Sequence, residues 1–347
     1  MPKLTFAKAI RAALEHKLET DPAVLLLGQD IADPYGGAFR ITRGLSARFP
    51  DRVVNTPISE AGTVAIAAGM ALRGLKPVVE MMFGDFIALA ADQLVNHAAK
   101  FAWMYNGAVR VPLVIRAPMG GRRGYGPTHS QSLERMFFGT PGLRILAPTH
   151  RHDPAALLAA AIDDPNPSLY IEGKTLYPLE VAPPQPPFSA VSPWSSSSSS
   201  SSIVASLPFP AVVLTNAPGA SADLTVVTYG PMLPIVERAM AAAFAEDEVT
   251  CEIVAPSQIA PLDLAPIAES VARTGRLLVA EEGPGSWGWG AEVIAQIAEQ
   301  HGDKLRARPR RVAALDLPVP TARPLEDLVL PGTGDIRKAI EQLLLDS

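Results

Sequence analysis

Few residues in this chain are equipped for chemistry, and Glu60 is the first that asks for an explanation. It opens the stretch "EAGTVAIAAGMAL", after which no charged residue occurs before Arg73. A helix that is apolar on every side belongs inside a protein. Burying an ionised carboxylate there costs several kcal/mol unless something pairs with it. A local reading also exists: free N–H groups and the macrodipole of a first helical turn favour negative charge by roughly 0.3–1 kcal/mol. Ser59 would then be the N-cap.

His129 is the second such residue. It lies in "GGRRGYGPTHSQS", a Gly-rich loop that leaves the strand pattern "VPLVIRAPMGG". Parallel α/β folds place ligands at strand carboxyl ends, and histidine carries protons near neutral pH. A plain surface-loop histidine is the competing reading. The third group is "EMMFGDF", Glu80 to Phe86, which ends a strand in soft and aromatic residues. Met81 and Met82 read as core packing, whereas Phe86 could offer its face to a flat ring.

Two further patterns point elsewhere. "GPGSWG", Gly283 to Gly288, satisfies G-x-G-x-x-G between a strand and a helix. A dinucleotide site also needs an acid about 20 residues further on, and that region reads "RARPRRV". A tight strand-to-helix turn is the better reading. His150 and His152, in "THRHD", lack a recurring acidic or Cys partner and do not make a metal site.

The elements that must position these residues alternate along the chain. "AVLLLGQDI", "KPVVEMMF", "VPLVIRAPMGG", "RILAPT" and "SLYIEG" read as buried parallel strands. "DFIALAADQLVNHAAKFAWMY" and "DPAALLAAAID" read as helices between them. The fold class is α/β, with a parallel sheet over residues 1–180. Residues 181–222, rich in Pro and carrying the serine run Ser195 to Ser202, read as a linker. Patterning resumes in a second, smaller α/β domain over residues 223–347.

Bulk properties narrow the class. The 347 residues suffice for two substantial cores, and 48 % hydrophobic with 19 % charged residues describe a globular chain. The net charge of −5 gives no footprint for nucleic acid or an anionic membrane. A single cysteine excludes an internal disulfide and fits a reducing compartment. No apolar run reaches the roughly 18 residues of a membrane span, and no signal peptide is recognised at the N-terminus. The expectation is a cytoplasmic protein.

Eight ordered blocks carry a resemblance: "TPISEAG", "EMMFGDF" with "DQLVNHAAK", "VPLVIRAP", "GPTHSQS", "PGLRILAP", "PNPSLYIEGKTLY", "VAEEG" and "LPVPTARPLEDLVLPGTGDI". The chain resembles the beta subunit of the thiamine diphosphate-dependent first component of 2-oxo acid dehydrogenase complexes. Pyruvate, branched-chain and acetoin dehydrogenases are its members, within the transketolase superfamily. The resemblance implies a pyrimidine-binding domain followed by a transketolase C-terminal-like domain. It implies that Glu60 hydrogen-bonds a ring nitrogen of the cofactor's aminopyrimidine and favours its imino tautomer. Phe86 would stack on that ring, with Met82 as a further cofactor contact. His129 would face the substrate side during decarboxylation of a 2-oxo acid and acyl transfer to a lipoyl group. A monovalent cation, K+, would be bound by backbone carbonyls and by groups around Asp164 and Asn166.

The same resemblance implies a missing half. The family's Gly-Asp-Gly and Asn motif for diphosphate and Mg2+ does not occur here: "FGDF" lacks the second Gly, and "TGDI" sits near the C-terminus. An alpha subunit would supply the Mg2+ site, in an alpha-two beta-two heterotetramer docked on a dihydrolipoyl acyltransferase core. Three features depart from the family: Gln29, where many relatives carry an acid; "VAPSQIAPLD", which lacks a usual Arg; and the serine insert. Two alternatives stay open, the C-terminal half of a split transketolase-type carboligase and a non-catalytic assembly subunit.

Overall fold

The apolar run closed by Gly28 forms strand β1 (Val24–Gly28), buried along its whole length. In the computed structural model, which describes residues 4–191 and 209–346, it lies in a parallel sheet with five more strands. These are β2 (Val53–Asn55), β3 (Lys76–Glu80), β4 (Val114–Met119), β5 (Arg144–Leu146) and β6 (Ser168–Gly173). Their order is β5-β6-β4-β3-β1-β2. Strands covered on both faces have no solvent side, so the sequence shows continuous apolar runs in place of alternation. Helices α1 (Phe6–Thr20), α2 (Leu45–Arg48), α3 (Glu60–Leu72), α4 (Ala99–Met104) and α5 (Pro154–Asp163) connect and cover the strands. α5 begins on Asp153, whose Oδ1 accepts from the N–H groups of Ala155 and Ala156 at 3.0 Å, with Pro154 in the first turn.

Two helices differ from expectation. The single helix read over residues 85–105 is three pieces: a 3-10 segment (Gly84–Ala90), a π segment (Gln93–Ala98) and α4. The N–H of Ala99 reaches back to the carbonyl of Leu94, which widens the turn. Such π turns recur beside functional sites. α3 is apolar all round as read, yet it is covered on one side only. Thr63, Val64, Ala67, Ala68 and Ala71 face the core, while Ala65, Ile66 and Gly69 are exposed.

A second unit comprises Gly120–Arg135 and Ala182–Ser347, the first comprising Met1–Met119 and Met136–Val181. The loop that carries His129 therefore clusters with the second unit and not with residues 1–180. Strands β7 (Ser189–Val191), β8 (Val212–Thr215), β9 (Leu224–Thr228), β10 (Cys251–Ala255), β12 (Leu277–Pro284) and β13 (Arg310–Ala314) form its sheet, with β11 (Gln258–Ala260) outside it. The order is β13-β12-β9-β10-β8-β7, parallel except for the antiparallel pairings of β8 with β10 and with β7. Helices α6 (Leu233–Asp247), α7 (Ala265–Thr274), α8 (Trp289–His301), α9 (Arg323–Val329) and α10 (Thr333–Leu345) complete the unit.

β7 and β8 correct the linker reading of residues 181–222. Each is a run of three or four residues set among prolines and glycines, too short for composition to reveal. β8 gains its order from pairing with β10, which buries Val213 and Leu214. The serine run lies outside the described residues. Among the described residues no helix is long and apolar enough to cross a membrane.

Candidate functional site

β2, β1 and β3 are neighbours and end on the same side of the sheet. The chain leaves β1 toward β2 on one flank, then places β3 on the other, so the winding direction reverses at β1. Ligands of open α/β sheets bind outside the carboxyl ends of the strands at such a switch point. Gln29 follows β1, Glu60 follows β2, and Met82 and Phe86 follow β3. Three residues singled out by sequence, Glu60, Met82 and Phe86, thus belong to one edge of one sheet.

Glu60 is 7 % exposed. Ser59 precedes it but makes no side-chain cap, so the carboxylate, in the first turn of α3, is not accompanied by a capping hydroxyl. Instead Gln29 Nε2 donates to Glu60 Oε1 at 2.8 Å. Oε2 makes no hydrogen bond among the described residues. The exits of the strands are stitched to each other, Thr56 N–H donating to the Gly28 carbonyl and Ala32 N–H to Asn55 Oδ1, each at 2.9 Å. A Cβ on Gly28 would stand 2.8 Å from the Glu80 carbonyl oxygen, so the close approach of β1 and β3 requires glycine there.

The aromatic turn after β3 packs against α3 and is pinned from behind. Phe83 meets Phe39 edge-on at 5.6 Å, and Lys174 Nζ lies 5.2 Å from its ring centroid. Phe86 stands nearly perpendicular to Phe83, centroids 6.1 Å apart at 74°. Phe86 and Met82 are both partly exposed, as residues that meet a ligand must be.

Beneath this turn runs a buried charge network. Arg116 donates from Nε to Glu172 Oε1 at 2.7 Å and from Nη2 to Oε2 at 2.9 Å, and its Nη1 pairs with Glu80. Tyr177 donates its hydroxyl to Glu172 Oε2 at 2.7 Å. Burial raises the Glu80 carboxyl above its usual range, with Arg116 opposing the shift. For Arg116 burial disfavours the charge, but Glu172 and Glu80 outweigh it and hold the guanidinium ionised. This network was missed by sequence reasoning. Its signal is one charge inside each of three neighbouring buried strands, "VVE", "VIRAP" and "LYIEG", which apolar runs do not carry without a partner.

His129 belongs to the second unit. It is half-buried, its N–H donates to the Gly126 carbonyl at 3.2 Å, and Thr128 Oγ1 lies 2.9 Å from its Nδ1. The loop is anchored by Arg122, which reaches Glu282 through Nε at 3.2 Å and the Pro331 carbonyl through Nη2 at 2.6 Å.

Geometry bears on three other readings. In "GPGSWG" the helix that follows, α8, receives at its N-terminus the chain's own Glu281 carboxylate, whose Oε1 accepts from Gly290 N–H at 2.9 Å. Cβ atoms at Gly288 and Gly290 would stand 2.5 and 2.8 Å from that oxygen. The position a phosphate would take is filled from within. His152 is spent on a turn, its Nδ1 accepting from Thr149 N–H at 2.9 Å. At the expected cation site, Asp164 Oδ2 pairs with Arg144, and Oδ1 accepts from Asn166 N–H and Nδ2 at 3.0 and 2.9 Å. Both Asp164 oxygens thus have polar partners within the chain.

Burial, with Glu134 adding to it, pushes Glu281 up to about 7 from the ordinary carboxyl value of 4.5, against the pull of the Gly290 N–H. A raised carboxyl binds its proton more tightly in the folded chain, so its stabilising contribution is full below about pH 4.5 and is lost as pH rises toward 7. Glu281→Gln should flatten that loss, and above pH 7 the variant should gain about 2–3 kcal/mol relative to the parent. Urea denaturation of both at pH 5 and pH 8 measures it; an equal difference at the two pH values would contradict the assignment.

Comparison with known proteins adds to this geometry. The chain matches the model for the transketolase pyrimidine binding domain over residues 2–180 and that for the transketolase C-terminal domain over residues 216–336. It is 38 % identical to the pyruvate dehydrogenase E1 component subunit beta of Leifsonia xyli subsp. xyli, over 98 % of this chain and 95 % of that one. It is 36 % identical to the 2-oxoisovalerate dehydrogenase subunit beta of Pseudomonas aeruginosa, over 98 % of this chain and 95 % of the relative. To the acetoin:2,6-dichlorophenolindophenol oxidoreductase subunit beta of Cupriavidus necator it is 34 % identical, over 99 % and 98 %. Among solved structures, a split-gene transketolase described as an inactive beta4 tetramer superposes with a TM-score of 0.74 at 20 % identity, over 97 % of each chain, a likeness of fold.

Proposed function

We propose that this chain, which belongs to the family of E1 component beta subunits of 2-oxo acid dehydrogenases, works as the pyrimidine-binding half of a split thiamine diphosphate enzyme. With an alpha subunit it catalyses oxidative decarboxylation of a 2-oxo acid and acyl transfer to a lipoyl group. The observation that carries the reading is Glu60: a buried carboxylate at the sheet's switch point, held by one oxygen and open at the other.

These residues fit the aminopyrimidine. When bound, thiamine diphosphate supplies the nucleophilic carbon and the electron sink. Glu60, a carboxylate only 7 % exposed, would accept and return a proton at a ring nitrogen through Oε2. Phe86 and Met82 give the ring an apolar, polarizable wall. His129 moves a proton on the substrate side. The diphosphate and its Mg2+ fall to the alpha subunit, in an alpha-two beta-two assembly on a dihydrolipoyl acyltransferase core. The uncovered side of α3, with Ile66 61 % exposed, supports a polypeptide partner. A cytoplasmic setting agrees with the single cysteine, Cys251, buried as a free thiol.

In calorimetry the purified chain alone should take up no thiamine diphosphate with Mg2+, and the chain mixed with its alpha partner should. The pair should then decarboxylate a 2-oxo acid and acylate a lipoyl domain. Turnover of a ketose phosphate without lipoyl acylation would replace this reading with the carboligase, and micromolar binding by the lone chain would refute the split site.

A further inference from the structure

We infer that Gln29 is a positioning residue: its amide fixes Glu60 Oε1 and thereby presents Oε2 as the one oxygen available to the aminopyrimidine. The inference rests on the role of Glu60 proposed above. The backbone on either side of Gln29 is held. Its neighbour Gly28 accepts from Thr56 N–H at 2.9 Å, and Asp30, at φ 53°, accepts through its carbonyl from Gly37 N–H at 2.9 Å. The residue is thus held on both sides, on the exit of β1, facing the exit of β2. Ala32 N–H and Asn55 Oδ1 tie the same two exits together once more. Amide and carboxylate meet because the backbone beneath them is fixed.

The chemistry of an amide decides what this contact does. Two carboxylates 2.8 Å apart would share a proton, and the pair would titrate as a unit. An amide does not ionise: the Gln29 NH2 donates to the carboxylate and cannot exchange a proton with it as a second carboxylate would. With Gln29 on Oε1, Oε2 is the carboxylate oxygen left without a hydrogen bond among the described residues. The hydrogen bond also removes rotational freedom from a side chain that otherwise has two equivalent oxygens to offer.

The test uses the enzyme reconstituted with its alpha partner. Hydrogen–deuterium exchange at the cofactor's thiazolium carbon and thiamine diphosphate Kd by calorimetry are measured for the parent, Gln29→Leu, Gln29→Glu, Glu60→Gln and the double variant Gln29→Leu/Glu60→Gln. Gln29→Leu should slow exchange about tenfold while Kd moves less than about threefold, the order expected for one hydrogen bond to a charged group. On the Glu60→Gln background Gln29→Leu should change nothing further, since the group it positions has lost its proton chemistry. Gln29→Glu, equal in length, should also slow exchange. An unchanged rate in Gln29→Leu, beside a loss in Glu60→Gln, overturns the positioning role and leaves Glu60 in place. A weaker Kd with unchanged exchange marks packing alone and overturns it too. Should Gln29→Leu not fold, parent-like exchange in Gln29→Glu is the overturning result. Normal exchange in Glu60→Gln removes the premise itself.

Discussion

Glu60→Gln, assembled with the alpha subunit, should slow hydrogen–deuterium exchange at the thiazolium carbon by about a hundredfold or more, the scale of a lost general acid–base group. The substitution keeps length and shape, so the side chain still fits its pocket behind β2. What it removes is a carboxylate able to accept and return a proton. Cofactor affinity should change little, because in the proposed split site the diphosphate is bound by the partner chain. A fall in kcat with KM for cofactor nearly constant is the corresponding steady-state signature. Exchange at the parental rate would take Glu60 out of the mechanism and return it to the role of a buried acid at a helix start.

Glu60 was legible because it violates a pattern. A charge at the entrance of an otherwise apolar helix conflicts with local consistency, and such conflicts gather at functional sites. The strands β1, β3, β4 and β6 were legible for the opposite reason, since a strand buried on both faces writes an unbroken apolar run. The partner of Glu60 was not. Gln29 is 31 positions away in sequence, and its nearness depends on β1 and β2 being neighbours, a fact of sheet order that no local window contains. The Arg116 network was hidden similarly: each charge is visible in its strand, but pairing Glu80 with Arg116 and Arg116 with Glu172 needs the order β3-β4-β6.

Composition misled in two places. Around residues 181–222 prolines dominate, and the short strands β7 and β8 take their order from a hydrogen-bonded neighbour, not from their own residues. In α3 the apolar pattern is real, but an apolar helix face reads alike whether it meets its own sheet or another polypeptide. The single chain separates the two cases: Val64 and Ala67 have no exposure, whereas Ile66, between them, is mostly open.

That difference gives the second large effect. Ile66→Arg should weaken association with the alpha subunit more than a hundredfold while leaving the isolated chain folded. In the lone chain position 66 points outward at 61 % exposure, so an arginine there reaches solvent, and the denaturation midpoint should move by no more than about 0.5 kcal/mol equivalent. In the assembly the same guanidinium would be buried against an apolar surface with no counter-charge from Ala65 or Gly69, and an unpaired buried charge costs about 3–5 kcal/mol, or two to three decades in Kd. Apolar residues left open by the fold of a single chain mark the surface that a partner covers. Sedimentation velocity of the mixed subunits reads the association, and urea denaturation of the chain alone reads the fold. Full assembly by Ile66→Arg would move the interface off α3, and the uncovered side of that helix would lose its explanation. Loss of the fold in the lone chain would show instead that position 66 supports the core, against the exposure the structure assigns to it.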